Sequence, residues 1–250
     1  GKPSVLADEG SNALGSITAD MIESVEVITN PSAKYEAEGT SGIINIVLKK
    51  EEKKGFNGSI SANTGIPDNH SIGGSINKRT DNFNLFSQFG VGYRSLPNYE
   101  ENINRNNATG TRIESDGLGF RNEEFYNITL GADYYINDLN VLTVSGSFAY
   151  EIEDQPSETD FKAFNENGDL VSSWVRTEET EADNPKWQYD LQYKREFKNN
   201  EDHVLLMSAL GNFFGKDLNS EFENVYEVGN EDIEYQRTET HFYEGDYTFK

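Results

Sequence analysis

The sequence predicts a mainly β protein of antiparallel strands, and two observations support this fold class. From Gly55 onward, apolar and polar residues alternate along segments of about 10 to 14 residues, a pattern typical of strands with one apolar and one polar face. Short polar turns and long polar stretches alternate between these segments. A net charge of -23 could indicate disorder, but 13 Tyr and 15 Phe indicate a folded chain.

The first fifty residues predict a different unit, a small mixed α/β element. Residues 21–29 alternate apolar and polar side chains, which predicts a strand. Pro31 ends this pattern because proline fixes its own φ and disfavours helix at the preceding residue. Residues 32–38 then predict a short helical turn, and the β-branched run over 42–49 predicts a second strand.

The remaining 200 residues predict about eight strands. The clearest alternation covers five segments: 56–63, 83–94, 126–136, 142–150 and 187–194. The segments 203–214 and 233–249 are predicted strands with a less regular pattern. In each strand one face is apolar and the other is polar, which both a soluble β-sandwich and an outer-membrane β-barrel require.

The connections favour the antiparallel transmembrane β-barrel over the sandwich. Four connections are short: 66–70, 80–82, 137–140 and 198–202. Three are predicted to be long polar loops: 95–122, 151–184 and 215–232. Outer-membrane barrels have short turns on one side and long loops on the other, whereas compact sandwiches rarely tolerate repeated loops of this length. Aromatic residues predicted near strand ends fit the girdles of such barrels: Tyr93, Tyr134, Tyr135, Tyr150 and Trp187.

The residue content argues against an enzyme, a metal centre or a bound cofactor. The chain has no Cys, and His70, His203 and His241 lie far apart in the sequence, so neither a catalytic triad nor a thiolate or histidine metal site is predicted. Residues 151–184 contain eleven carboxylates and two basic side chains, a balance that repels nucleic acid. A solvated exterior loop is the favoured interpretation of this segment, and Ca²⁺ binding by its carboxylates stays open.

One segment carries a family resemblance. Residues 22–50, IESVEVITNPSAKYEAEGTSGIINIVLKK, resemble the end of the plug domain of TonB-dependent outer-membrane receptors, in the form typical of the Bacteroidetes. The segment Gly55–Gly58 resembles the first barrel strand of that family. Many siderophore receptors have Arg-Gly-Pro where this chain has Thr29-Asn30-Pro31, so the arginine that often tethers plug to barrel is absent.

The resemblance implies a domain organisation and a location. Residues 1–50 would be the C-terminal part of the plug domain, and residues 51–250 the N-terminal part of the barrel, with about eight of its 22 strands. The chain is predicted to be a fragment, because Gly1 is not an initiator Met, no signal peptide follows it, and the alternation continues to Phe249. The predicted location is the bacterial outer membrane.

The same resemblance implies a function: import of a scarce ligand through the plugged barrel, energised by the TonB system through the missing N-terminal part. Outer-membrane lipid and a surface lipoprotein are candidate partners. The ligand class stays open between an iron chelate, an oligosaccharide, a peptide and a vitamin complex. Two alternatives remain: a non-transporting outer-membrane barrel for anchoring or signalling, and a soluble β-rich ligand-binding module.

Two sets of candidate contact residues follow. Polar residues of the plug segment that could contact the barrel wall are Glu23, Glu26, Asn30, Lys34, Tyr35 and Glu38. Ligand contacts are expected from the long loops, with Tyr99, Trp174 and the loop carboxylates as candidates.

Overall fold

The computed structural model describes residues 22–28, 43–48, 54–198, 200–229 and 232–250, and these form two separate antiparallel sheets. The smaller sheet pairs β1 (Ile22–Ile28) with β2 (Ile43–Leu48), with Val25 opposite Ile46. Both strands predicted in the first fifty residues are therefore confirmed. The helical turn predicted over 32–38 lies outside the described residues.

The larger sheet contains eight strands, which agrees with the predicted number of about eight, and each strand pairs with its neighbours in the sequence. Their bounds are β3 Gly55–Gly65, β4 Asn69–Arg79, β5 Phe83–Arg105, β6 Arg112–Asn137, β7 Asn140–Phe164, β8 Leu170–Phe197, β9 Asn200–Val228 and β10 Glu234–Phe249. The sheet is open, with β3 at one edge and β10 at the other. The antiparallel, mainly β fold class is confirmed by this meander.

The three stretches predicted as long loops are strands, so that prediction is wrong. The strands β5 to β9 are 23 to 29 residues long, about twice the predicted length, and as paired hairpins they cover most of 95–122 and 151–184 and the third stretch as far as Val228. The connections between β5 and β6 and between β7 and β8 are short, at 106–111 and 165–169. The physical reason is that each polar segment is hydrogen-bonded to an equally long neighbour, so it needs no apolar face to stay extended.

The strand register divides the sheet into two regions. The short hairpin of β3 and β4 ends where the Ser95 amide donates to the Asp68 carbonyl, and at that level Arg94, Glu123 and Glu153 lie side by side. We call the eight-stranded part up to this level the band. We call the six-stranded part beyond it the arm, made of 95–105, 112–122, 154–164, 170–181, 219–228 and 234–239.

Burial in the band is the reverse of that in a soluble sheet. One face, the apolar face, includes a row of residues across the seven strands from β3 to β9: Ile60, Gly74, Phe89, Ile128, Phe148, Trp187 and Phe213. This face is exposed, with Ile60 81% and Leu130 55% accessible. The opposite, polar face contains buried charged groups, including Asp190 at 6%. The large side chains of this row are therefore exposed, whereas the buried hydrophobic residues among those described lie on the polar face: Phe125, Ala149, Ala182 and Leu210.

Side-chain hydrogen bonds connect the strands along the polar face. Asn77 Nδ2 donates to Asn84 Oδ1 at 2.7 Å, and Asn84 Nδ2 donates to Asp133 Oδ2 at 2.9 Å. Thr143 Oγ1 donates to the other oxygen of Asp133 at 2.7 Å. One chain of hydrogen bonds thus joins β4, β5, β6 and β7, which satisfies polar groups that would otherwise be costly to cover.

The aromatic residues predicted near strand ends divide between the two faces. Tyr93, Tyr134 and Tyr150 lie on the apolar face at the ends of its rows. Tyr135 lies on the polar face, where the Arg79 guanidinium stacks 5.1 Å from its ring. Tyr134 and Tyr135 lie near the end of β6, as predicted. The prediction is wrong for Tyr93, Tyr150 and Trp187, which lie inside β5, β7 and β8 because these strands continue into the arm.

Candidate functional site

The apolar face of the band has the height of a lipid-exposed belt. Along single strands, the alternating apolar segments of this face are Phe83–Tyr93, Tyr126–Tyr134 and Leu142–Tyr150, which are 11, 9 and 9 residues long. At a rise of about 3.4 Å per residue and a tilt of about 40°, these segments span roughly 23 to 29 Å. Outer-membrane barrels carry an apolar band about 25 Å tall, so the match in height is close.

Aromatic pairs lie at both ends of this apolar face. At the end near the short turns, the rings of Phe83 and Tyr134 stack with centroids 4.9 Å apart. At the other end, Phe148 lies 6.4 Å from Tyr150 and 5.5 Å from Trp187. Tyrosine and tryptophan combine an apolar ring with a polar tip, a combination that suits the boundary between an apolar and an aqueous phase.

A buried ionic cluster lies on the polar face where the band meets the arm. We define this ionic cluster as Arg94, Arg121, Glu123, Glu151, Glu153 and Lys186. Arg94 forms an ion pair with Glu123, and Arg121 Nε lies 2.5 Å from Glu123 Oε1. Arg121 Nη2 also donates to Glu153 at 3.2 Å, so Arg121 joins the two carboxylates.

Neutral side chains complete the coordination of Glu153. Asn184 Nδ2 and Gln155 Nε2 each donate to one oxygen of this carboxylate at 2.6 Å. Nearby, Lys186 Nζ lies 3.3 Å from Glu151 Oε2, so these two charges form a second ion pair. Charges this well buried are tolerated only with such partners, which makes the ionic cluster a fixed part of the sheet.

Beyond the ionic cluster, the polar face continues onto the arm as a groove of about 700 Å³. Its floor lies on β6, where Gly117 and Gly119 carry no side chain. The cross-strand neighbours of these glycines form the walls: Asn98 and Glu100 on β5, with Ser157 and Thr159 on β7. The groove is thus open because two adjacent floor positions lack a Cβ.

An aromatic ladder lies beside the groove. Phe161, which lines the groove, stacks on Trp174 with centroids 4.9 Å apart and planes 2° apart. Trp174 in turn lies 5.7 Å from Tyr226. The Arg176 guanidinium lies 5.4 Å from the Phe161 ring and donates to Asn224 Oδ1 at 2.9 Å. These contacts hold the groove wall between β7 and β9.

The structure brings few of the predicted contact residues to this groove. Trp174 does not line the groove itself but stacks on Phe161, which does. Tyr99 lies on the opposite face of the arm and does not line the groove. Glu26 lies in β1 with an exposed side chain, and Glu23 lies in the same strand. The other predicted plug contacts fall outside the described residues: Asn30, Lys34, Tyr35 and Glu38.

Most groove residues were missed because the sequence interpretation treated these segments as loops. The signal that could have found them is the period of two in β5, which places Leu96, Asn98, Glu100 and Asn102 on one face. The turn sequences Asn106–Gly110 and Asn165–Gly168 also mark hairpin tips, since both glycines have positive φ.

The three histidines lie apart in the structure and each has a different neighbour. His70 lies 3.8 Å from Asp68, His203 stacks on Phe197, and His241 Nδ1 lies 2.7 Å from Asp217. Within the described residues, no group of three or more His, Asp or Glu side chains could hold a metal ion. No helix among those residues is long and apolar enough to cross a membrane.

Comparisons with protein-family models, with curated proteins and with solved structures find no match to this chain.

Proposed function

We propose that this chain is part of an outer-membrane β-barrel receptor of the TonB-dependent class, which imports a scarce ligand through a plugged barrel. The observation that carries the proposal is the reversed burial of the band. Large apolar side chains such as Leu130 and Ile60 are exposed on one face, while Asp190 and Glu153 are buried on the other. Lipid is the solvent that favours this arrangement.

The uncovered apolar face also argues against the alternative of a soluble β-rich ligand-binding module. A β-sandwich covers its apolar face with a second sheet, and here the apolar face spans eight strands that form a single open sheet. An uncovered apolar surface of that extent is a membrane or partner contact in natural proteins. The hydrogen-bonded polar face suits a water-filled lumen, and further strands would close the barrel at the β3 and β10 edges.

The receptor part of the proposal rests on the plug resemblance of residues 22–50. The antiparallel pairing of β1 with β2 agrees with the strand–turn–strand order of that motif. In this proposal residues 1–50 belong to the plug, residues 51–250 to the barrel, and Glu26 is one of the plug residues that contact the barrel wall. The TonB system pulls on the plug, and the arm faces the outside of the cell, where the ligand binds.

The first experiment tests location. The full-length protein is produced in its own bacterium, and its membranes are separated on a sucrose gradient and washed with sodium carbonate. We expect the protein in the outer-membrane fraction, resistant to carbonate extraction. Recovery as a detergent-free soluble protein would support the soluble ligand-binding module and overturn the proposal.

The second experiment separates import from anchoring. Cells that make a tagged full-length protein are treated with formaldehyde, and the protein is isolated under denaturing conditions. We expect TonB to be cross-linked to it. The matched control is the same protein without the segment that precedes the plug, which should lose the cross-link and keep its place in the membrane. A barrel that never cross-links to TonB would be the non-transporting alternative.

A further inference from the structure

We infer that the arm binds an extended, positively charged segment of another protein, which joins the sheet as an added strand beside β5. This inference goes beyond the proposed function, because it concerns a protein partner and not the imported ligand. It is argued from the unpaired backbone of β5, the side chains along it and their charge.

In the arm, β5 has a neighbouring strand on one side only. The hairpin of β3 and β4 ends where the Ser95 amide donates to the Asp68 carbonyl at 2.7 Å. Beyond that level β5 pairs with β6 as far as Arg105, and no other strand of the described residues pairs with it. We call the unpaired side of residues 97–105 the open edge. Strands that close the barrel next to β3 would be separated from it by the β3–β4 hairpin.

Two hydrogen bonds establish which backbone groups point to the open edge. The Ser95 amide points away from β6, and the Asn106 amide points toward β6, where it donates to the Thr111 carbonyl at 2.9 Å. Because these directions alternate along a strand, the amides and carbonyls of the odd-numbered residues from 99 to 105 point to the open edge. Pro97 has the same alternation and no amide to leave unpaired. A row of alternating donors and acceptors matches another extended polypeptide.

Exposed apolar side chains accompany the open edge, although the arm extends beyond the lipid-facing band. Tyr99 and Ile103 lie on the face that continues the apolar face of the band, and they are 78% and 65% accessible. Ile66, in the turn between β3 and β4 below the open edge, is fully exposed. An added strand would cover Tyr99 and Ile103, because opposite residues of neighbouring strands lie about 4.5 to 5.5 Å apart. Exposed apolar groups beside unpaired backbone are typical of a surface that receives a partner.

The charge beside the open edge indicates a cationic partner. Glu101, Asp116 and Asp160 lie directly opposite one another on β5, β6 and β7, and none of them forms an ion pair within the described part of the chain. Glu100 adds a carboxylate on the other face of β5. Like charges placed opposite one another destabilise a sheet, whereas opposite charges stabilise it. Lysine or arginine beside Glu101 would therefore be favourable, and an acidic segment would be repelled.

A second copy of this chain does not fit the open edge. Two copies of β5 would pair antiparallel about a two-fold axis perpendicular to the sheet. In the proposed barrel the sheet crosses the membrane, so this axis would lie in the membrane plane and would insert the second copy upside down. The partner is therefore a different protein at the cell surface.

The experiment measures amide hydrogen exchange of the full-length protein in lipid nanodiscs by residue-resolved mass spectrometry. The probe is a peptide, Thr-Val-Thr-Lys-Lys-Val-Thr, capped at both ends and designed to place its lysines beside Glu100 and Glu101. Without the peptide, we expect fast exchange at the odd positions of 99–103 and slow exchange at the even positions of 100–104, whose amides face β6. The saturating peptide should slow exchange at the odd positions at least tenfold, and fluorescence anisotropy of a labelled peptide gives its affinity.

A second peptide and three variants test the contacts. The peptide with Glu in place of both Lys should bind at least tenfold more weakly, because attraction to two carboxylates becomes repulsion. Ile103→Pro removes one amide of the open edge, as Pro97 already does, and should weaken binding about tenfold. Glu101→Gln should weaken binding of the Lys peptide about threefold. The matched control is Glu158→Gln, on the same face but two strands away, which should change the affinity by less than about 1.5-fold.

Slow exchange at the odd positions without the peptide would show that the protein itself covers the open edge, and this would overturn the inference. Absence of saturable binding, or equal affinities of the Lys and Glu peptides, would overturn it as well. A carbonate-resistant, TonB-linked protein with any of these results would keep the proposed function and lose only the added strand.

Discussion

The band and the arm are built from the same strands, yet their faces differ. On β7, the band segment Leu142–Tyr150 alternates apolar with polar residues, whereas the arm segment beyond Glu153 presents Asp154, Glu158 and Asp160 on the face that was apolar below. The backbone pairing continues unchanged across the boundary. Alternation of apolar and polar residues therefore indicates that the two faces of the sheet meet different environments. The extended backbone itself is maintained by hydrogen bonds to the neighbouring strands.

The largest expected effect lies at the boundary between the two regions. Glu153 is 3% exposed and accepts hydrogen bonds from Arg121, Gln155 and Asn184. Glu153→Ala should lower the free energy of unfolding by about 3 to 5 kcal/mol, because it leaves buried donors without their acceptor. Urea unfolding of the full-length protein in lipid vesicles measures this.

The matched control for that prediction is on the same strand. Glu158→Ala removes an exposed carboxylate of the arm and should change the free energy of unfolding by less than about 0.5 kcal/mol. Equal effects of the two substitutions would show that the ionic cluster does not join the band to the arm.

The next largest effect is expected when a positive charge is placed on the apolar face of the band and, for comparison, on the same face of the arm. Ile128 in the band and Ile103 in the arm are both accessible, at 41% and 65%. Ile128→Lys should cost about 2 to 4 kcal/mol in lipid vesicles, since a lysine near the middle of the bilayer is poorly solvated. Ile103→Lys should cost less than about 0.5 kcal/mol because water covers the arm. If both variants were neutral, the band would not face lipid.

Packing on the polar face of the band gives a smaller effect. Phe86 lies directly over Gly131, so a Cβ at that position would clash with the ring. Gly131→Val should destabilise the protein by about 1 to 3 kcal/mol through overpacking. The control is Gly146→Val on the apolar face, where the nearest atoms lie 3.8 Å away and the side chain meets lipid. A Gly146 variant as destabilised as the Gly131 variant would contradict the assignment of the faces.

Much of the band could be predicted from the sequence, because its two faces meet different environments and its strands therefore alternate apolar and polar residues. The alternation over 142–150 and 187–194 gave the strands, their faces and the short turn between β6 and β7. The arm could not be recognised in the same way. Its segments lack a regular alternation of apolar and polar residues, and cross-strand pairing, for example of Glu158 with Thr177, keeps them extended. A single sequence does not display such long-range pairing.

The candidate site shows the same limit. The groove depends on the register that places Gly117 and Gly119 between β5 and β7, and the ionic cluster depends on the register that aligns Arg94, Glu123 and Glu153. Neither alignment follows from local sequence, since a shift by one residue would turn every side chain to the other face. The plug resemblance, in contrast, needed only the local motif of residues 22–50.

The most direct test of the account is a spin-label scan along β7 of the full-length protein in lipid vesicles. These 250 residues contain no Cys, so single labels can be placed at each position from 143 to 148 and from 157 to 160. We predict that accessibility to oxygen alternates with a period of two over 143–148, highest at Val144, Gly146 and Phe148, and that a polar nickel chelate reaches both faces over 157–160. Equal accessibility of the two faces over 143–148, or chelate access to Val144 and Phe148, would contradict a lipid-facing band.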